Sequence, residues 1–100
     1  MTLKVAWTVD AANDLANVLE YTADKSPVGA ASVATAIAAT VASISEFPNA
    51  GRMDAETGCR ERLVARYPLL LIYKVSADVA EIIALFHTSR DPATKRGAKG

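Results

Sequence analysis

The sequence has very few of the residues that build metal sites, disulfides and proton-transfer chemistry. Its 100 residues include one cysteine, Cys59, and one histidine, His87. A single cysteine excludes an internal disulfide and a cysteine-based zinc site, and it suits the reducing conditions of the cytoplasm. We therefore expect a cytoplasmic protein with no metal and no cofactor.

The chain also lacks net charge, because 11 Lys and Arg balance 11 Asp and Glu. A neutral chain has no global field that would mark nucleic acid as its partner. The charges are nevertheless unevenly distributed. Residues 1–56 carry three basic and seven acidic residues (net −4), and residues 57–100 carry eight basic and four acidic residues (net +4). An anionic partner is therefore expected at the C-terminal half.

Residues 26–45 contain no charged side chain, and the N-terminus lacks the pattern of a signal peptide. The uncharged stretch includes Pro27 and Gly29, several Ser and Thr residues, and many alanines. With these residues, the free energy of inserting the stretch into a bilayer would be unfavourable. We interpret it as a helix whose small side chains let its neighbours approach closely, and we expect no membrane partner.

The N-terminal half has the periodicity of one strand followed by two helices. Alternation over residues 2–7 predicts a strand, and Thr8 is a suitable N-cap for an amphipathic helix over residues 9–24. A second helix begins at Ser26-Pro27, as N-cap and first helical residue, and is ended by Pro48. Because so few residues join the two helices, they should form an antiparallel hairpin.

The C-terminal half has the pattern of strands. This pattern predicts three strands, over residues 60–65, 69–75 and 79–86. The last two should pair as a hairpin. The predicted fold is α+β with the order β-α-α-β-β-β, in which a helical hairpin packs on a small, mainly antiparallel sheet. We expect a single domain over residues 1–92 and a flexible basic tail over residues 93–100.

Short motifs along the chain resemble the RelE/ParE superfamily of bacterial type II toxin–antitoxin toxins, most closely its ParE branch. The resemblance covers residues 3–92 in order and rests on Trp7-Thr8, Asp14-Leu15, Tyr21, Phe47-Pro48, Gly51-Arg52, Arg60-Glu61, Tyr67-Pro68, Tyr73 and the run Phe86-His87-Thr88-Ser89-Arg90-Asp91. It implies the same β-α-α-β-β-β fold. It also implies a toxin that a cognate ParD-like antitoxin neutralises.

The resemblance leaves two targets open, because ParE-like toxins poison DNA gyrase and RelE-like toxins cleave mRNA on the ribosome. RNA cleavage needs a base, an acid and cations around the phosphate. The candidates for those roles are Arg62, Arg66, His87 and Arg90. The same four residues, together with Arg60, are our candidates for binding a target without catalysis.

Two departures from the ribonuclease pattern favour gyrase. The last tyrosine is Tyr73, whereas ribonuclease members often place one near the C-terminus, and the second helix offers no cations to ribosomal RNA. We therefore expect a non-catalytic inhibitor that stabilises a cleaved DNA–gyrase intermediate and has no sequence-specific nucleic-acid binding of its own. The alternatives are a ribosome-dependent ribonuclease and an inactive homologue kept for antitoxin binding.

Four of the five candidate residues also have a purely structural interpretation. His87 could hydrogen-bond at the end of the sheet, Arg60 and Arg62 could lie on an exposed strand, and Arg90 could pair with Asp91. Exposed ion pairs of this kind contribute only about 0–1 kcal/mol each.

A last group of apolar residues is our candidate for antitoxin binding. Val64, Leu69, Leu71 and Tyr73 lie on the predicted strands, where alternate side chains point to opposite faces. We expect that not all four face the helices and that a largely disordered antitoxin segment covers the remainder.

Overall fold

The computed structural model describes residues 2–88, which form a five-stranded sheet and a helical hairpin. The strands run in the order β1-β5-β4-β3-β2, with β1 parallel to β5 and the other pairs antiparallel. This arrangement confirms the predicted α+β class. The predicted tail of residues 93–100 lies outside the described residues, as does Arg90. The elements are β1 Lys4–Trp7, α1 Val9–Lys25, α2 Pro27–Glu46, a 3₁₀ helix Pro48–Ala50, β2 Arg52–Met53, β3 Arg60–Leu63, β4 Leu69–Ser76 and β5 Val79–His87.

Both helices begin at the caps that the sequence predicts. The hydroxyl of Thr8 accepts a hydrogen bond from the Ala11 N–H at 3.0 Å, and the hydroxyl of Ser26 accepts one from the Gly29 N–H at 2.9 Å. Each bond satisfies an N–H that has no carbonyl partner inside the helix. With Ser26 extended and Pro27 already in α2, the chain reverses direction within a single residue.

The hydrophobic core lies between the hairpin and one face of the sheet. Leu71 pairs with Leu85 and Tyr73 with Ile82, and all four side chains are 2% exposed or less. They pack with the buried stripe of α2, which includes Ile37 and Ile44. Burial of each large apolar side chain contributes about 1.5–3 kcal/mol, which makes this layer the main source of stability.

A bulge in β5 is held by the start of α1. The register shifts after the Tyr73–Ile82 pair, where β1 also ends. Beyond that point the Leu85 N–H donates to Asp14 Oδ2 at 3.1 Å, and the Thr8 hydroxyl donates to the Ile83 carbonyl at 3.3 Å. Side chains of α1 and its cap therefore bond to the edge of β5 that β1 leaves uncovered.

Two features differ from the sequence-based expectation. The short strand β2 and the 3₁₀ helix were not predicted, because a two-residue exposed strand has no measurable alternation. The expectation that part of the set Val64, Leu69, Leu71 and Tyr73 faces outward is wrong, since all four are 2% exposed or less. The three β4 residues are two positions apart and so share one face, the face that the helices cover.

Helix α2 has the length and composition of a membrane span, with a mean hydropathy of 1.7 over 18 residues, of which 22% are buried. The same test is passed by core helices of water-soluble domains. In this structure Val33, Ile37, Thr40 and Ile44 of α2 are buried against α1 and the sheet. One stripe of α2 therefore packs into the core, and the remainder of the helix surface is exposed or half-buried.

Candidate functional site

Arg60 fastens β3 to the segment that leaves α2. Its Nη1 donates to the carbonyl of Asn49 at 3.2 Å and to the carbonyl of Gly51 at 2.9 Å. These carbonyls lie in and just after the 3₁₀ helix, where backbone acceptors have no strand partner. The guanidinium therefore already has a structural role in the chain.

Arg62 lies two residues after Arg60 on β3 and also makes a structural contact. Its Nη2 donates to the hydroxyl of Ser43 on α2 at 2.7 Å. Its Nη1 is buried without a hydrogen-bond partner. Arg62 pairs with Leu71 in the β3–β4 ladder, so its side chain lies on the helix-covered face. The sequence-based view of an exposed strand carrying solvated cations does not describe this residue.

The same region contains a close contact between the sheet and the turn. The Tyr73 hydroxyl donates to the Pro48 carbonyl at 2.7 Å, and Gly51 packs directly against the tyrosine ring. A Cβ at position 51 would lie 3.0 Å from two ring carbons and closer still to the hydroxyl. Position 51 therefore requires glycine, because the Tyr73 side chain occupies the space that a Cβ would take. This contact explains the glycine of the Gly51-Arg52 motif.

Arg66 and His87 lie at the opposite end of the sheet from that turn. Arg66 is exposed in the β3–β4 turn with a φ of 74°, and His87 ends β5 opposite Leu69. Tyr67 connects them, because it lines both a groove with Arg66 and a pocket with His87. These two candidates are brought to the same end of the molecule.

The structure does not bring Arg62 to that end. Arg62 bonds to Ser43, whereas the pocket that His87 lines is bounded on α2 by Gly29 and Val33. Ser43 follows Val33 by ten residues, which corresponds to about 15 Å along a helix. The four proposed catalytic residues are thus divided: Arg66 and His87 lie at the same end of the sheet, Arg62 bonds to α2 away from that end, and Arg90 is outside the described residues.

No group of three His, Cys, Asp or Glu side chains that could hold a metal ion occurs within residues 2–88. Cys59 lies beside Arg60 in the turn before β3 and is half-buried.

Exposed apolar side chains lie on several elements. The largest exposed fractions belong to Val9 and Val28, each at 77%, and to Leu63 at 64%. A groove of about 530 Å³ also runs between α2 and the β3–β4 turn, and Ala31, Thr35, Ala39 and Ala65 contribute to its lining. A partner can contact these surfaces, whereas Val64, Leu69, Leu71 and Tyr73 are inside the core.

Comparison with known proteins decides the family. A family model described as the ParE toxin of the type II toxin–antitoxin system, parDE, matches residues 5–92. The chain belongs to the ParE toxin family. It is 31% identical, over 84% of its own length and 86% of the relative's, to Y4kP of Sinorhizobium fredii, a protein provisionally named as a toxin. It is also 29% identical, over 87% of its length and 97% of the relative's, to a protein of Caulobacter vibrioides named Toxin RelE2.

The fold of this ParE family member is also found in a solved structure. A chain from the chromosomal ParDE TA system of P. aeruginosa superposes with a TM-score of 0.75 and 21% identity, over 86% of this chain and 96% of that one. At that identity the likeness establishes the fold. The family match and the fold together confirm the resemblance that the sequence motifs predict.

Sequence reasoning did not assign any role to the pocket beside His87. Tyr21 and Lys25 of α1 line this pocket, and Lys25 Nζ lies 5.0 Å from the centroid of the Tyr21 ring. The four-residue spacing of this pair on one helix face was the available signal. Nothing local indicates that the end of β5 lies against the same helix face, because that contact joins residues more than sixty positions apart.

Proposed function

We propose that this ParE family toxin arrests DNA gyrase by binding it and stabilising the cleaved DNA intermediate. In this proposal the toxin cuts no nucleic acid itself, and a ParD-like antitoxin neutralises it. Binding of this kind needs only a higher affinity for one state of the target than for the others. Because gyrase acts on the chromosome, the proposal includes a cytoplasmic location in a bacterium.

The main support is the position of the arginines relative to His87. A ribonuclease needs its cations and its proton-transfer group around one phosphate. Here Arg60 bonds to backbone carbonyls and Arg62 bonds to Ser43, about three helical turns from the pocket of His87. Arg62, a candidate for holding the scissile phosphate, and Arg60, a candidate for target binding, therefore both make structural contacts.

The end of the sheet that carries Arg66 and His87 is our proposed target-binding end. Arg66 is an exposed cation at this end, and residues 57–100 of the sequence have a net charge of +4. A positively charged toxin surface favours a target that holds DNA, since phosphate contacts supply most of such attraction. Arg60 and Arg62 contribute to this binding indirectly, because they fix β3 to the segment after α2 and to α2 itself.

The antitoxin is proposed from the family and from the exposed surface. The solved relative comes from a ParDE TA system, and this chain exposes apolar side chains such as Val28 and Leu63. Exposed apolar side chains beside a helix or at a sheet can be covered by an amphipathic helix or an added strand of a partner. We propose that the antitoxin covers these exposed side chains. Of the buried set that the sequence indicated, only Leu69 lines the pocket beside His87, where a partner can reach it.

A supercoiling assay with purified gyrase and relaxed plasmid tests the proposal. The toxin should stop supercoiling and cause linear DNA to accumulate. Loss of one contact at Arg66 or His87 costs about 1–1.5 kcal/mol, so Arg66→Ala and His87→Ala should each raise the inhibitory concentration by about tenfold. Lys74→Ala is the matched control, because Lys74 is exposed and lies on β4 away from the β3–β4 turn and the end of β5.

A ribosome-dependent ribonuclease remains the second candidate. It is favoured by the relative named Toxin RelE2 and by Tyr67, which lies between Arg66 and His87. In a reconstituted translation system this candidate predicts cuts in mRNA at codons. His87→Ala would then lower the cleavage rate by about 100-fold or more, as loss of a proton-transfer group does. Intact mRNA beside inhibited gyrase would exclude it.

A further inference from the structure

A pocket of about 270 Å³ lies at the tip of the helical hairpin. It is enclosed by the end of α1, the start of α2 and the ends of β4 and β5. Val18, Val33 and Leu69 line it and are each 7% exposed or less, so its base belongs to the core. An apolar cavity of about 150 Å³ holds a benzene ring. The larger pocket here therefore accommodates an aromatic or branched side chain with its linking atoms.

Two tyrosines line this pocket, one from each layer of the fold. Tyr21 comes from α1 and Tyr67 from the turn before β4. The Thr22 hydroxyl already donates to the Val18 carbonyl at 2.8 Å, so its proton is not available to a ligand. Aromatic and aliphatic surface dominates the pocket, which is the composition of sites that receive an anchor side chain from a protein partner.

Within residues 2–88, the rim of the pocket carries one positive charge, that of Lys25. Lys25 and His87 are the ionisable groups on the rim besides the two tyrosines, and no Asp or Glu is among the described residues that line it. The acidic residues of the same helix segment, Glu20 and Asp24, follow Val18 by two and six residues. At 3.6 residues per turn they lie on the other side of α1 from Val18. The occupant is therefore expected to carry negative charge next to its apolar anchor.

We infer that this pocket receives an aromatic or branched apolar side chain from an acidic segment of the antitoxin. The inference rests on the proposed function, because it takes the antitoxin as a partner. An anchor seated here covers His87, which we assign to target binding. Occupation of the pocket would thus block the target-binding end directly and account for neutralisation.

The first test uses calorimetry to measure binding of the full-length toxin to its antitoxin, which a type II system encodes in the reading frame next to that of the toxin. Lys25→Glu should raise the Kd by about tenfold or more, as reversal of a rim charge beside an anchor pocket does. Lys4→Glu makes the same charge change on the exposed side of β1 and should leave the Kd unchanged within about twofold. Tyr67→Ala removes one of the two aromatic side chains that line the pocket and should also raise the Kd. Circular dichroism checks that this variant still folds. Equal binding by Lys25→Glu and the native chain would overturn the inference.

The second test uses peptides and does not depend on toxicity. Amide resonances of Gly29 and Val33 in the full chain should shift with the pentapeptide Glu-Glu-Trp-Glu-Glu, and much less with Glu-Glu-Ala-Glu-Glu or Lys-Lys-Trp-Lys-Lys. Equal shifts with all three peptides would overturn the inference. So would binding of free indole-3-acetate as tight as that of the acidic tryptophan peptide, because the pocket would then be a small-molecule site.

Growth assays separate this inference from the proposed function. If the native chain does not arrest growth without the antitoxin, the proposed function fails, and the peptide shifts still decide the inference. If Lys25→Glu arrests growth and the antitoxin no longer neutralises it, the result supports both the proposed function and the inference about the pocket. If Lys25→Glu is non-toxic but binds the antitoxin normally, the pocket belongs to the target and the inference is wrong.

Discussion

Replacement of Gly51 by alanine tests the contact that joins the sheet to the turn after α2. The added methyl would lie 3.0 Å from two carbons of the Tyr73 ring and would displace its hydroxyl from the Pro48 carbonyl. Overpacking costs about 1–3 kcal/mol, and a buried hydroxyl without its partner costs about 1–3 kcal/mol. Gly51→Ala should therefore lower the free energy of unfolding by about 3 kcal/mol, which corresponds to a fall in Tm of roughly 15 °C.

Urea and thermal unfolding followed by circular dichroism measure this change. Gly58→Ala is the matched control, because Gly58 has a φ of 75° but no atom within 4 Å of an added Cβ. It should cost only the backbone strain of about 1–2 kcal/mol. In a Tyr73→Phe background the hydroxyl is absent, so Gly51→Ala should cost about 1 kcal/mol less than in the native chain. An equal cost in both backgrounds, or a cost below that of Gly58→Ala, would refute the crowding argument.

Three further predictions concern other contacts. Asp14→Ala should lower the free energy of unfolding by about 1–3 kcal/mol, because the Leu85 N–H loses its acceptor; Asp14→Asn keeps an oxygen acceptor, and an equal loss would contradict the assignment. Arg62→Ala and Ser43→Ala should be non-additive by about 0.5–3 kcal/mol in a double-mutant cycle of urea unfolding, and strict additivity would show that the bond is not formed. Ala77→Gly should raise the free energy of unfolding by about 0.5–1 kcal/mol, because Ala77 has a φ of 54°; a decrease would show that this turn conformation is wrong.

The sequence was sufficient to predict the elements that local chemistry determines. Thr8 and Ser26 act as the helix caps that their side chains predict, and the alternation at the N-terminus marks β1. The β4 and β5 hairpin follows from two apolar runs joined by a tight turn at Ala77. In these places a residue and its immediate neighbours settle the structure.

The candidate site was harder to predict, because its geometry depends on long-range contacts. Arg62 has no local feature that indicates Ser43 as its partner nineteen residues earlier. The expectation for Val64, Leu69, Leu71 and Tyr73 was wrong because it assumed that some of them face away from the helices. The three β4 residues are two positions apart, so they share a face, and all four side chains are buried. The pocket at the hairpin tip requires the end of β5 to lie against α1, which no short window of sequence contains.

The supercoiling assay with purified gyrase remains the most direct test of the proposed function. The toxin should stop the enzyme and leave linear plasmid, and Arg66→Ala should weaken this effect about tenfold while Lys74→Ala does not. The same preparation should leave mRNA intact on translating ribosomes. Unimpaired supercoiling together with mRNA cut at codons would contradict the account.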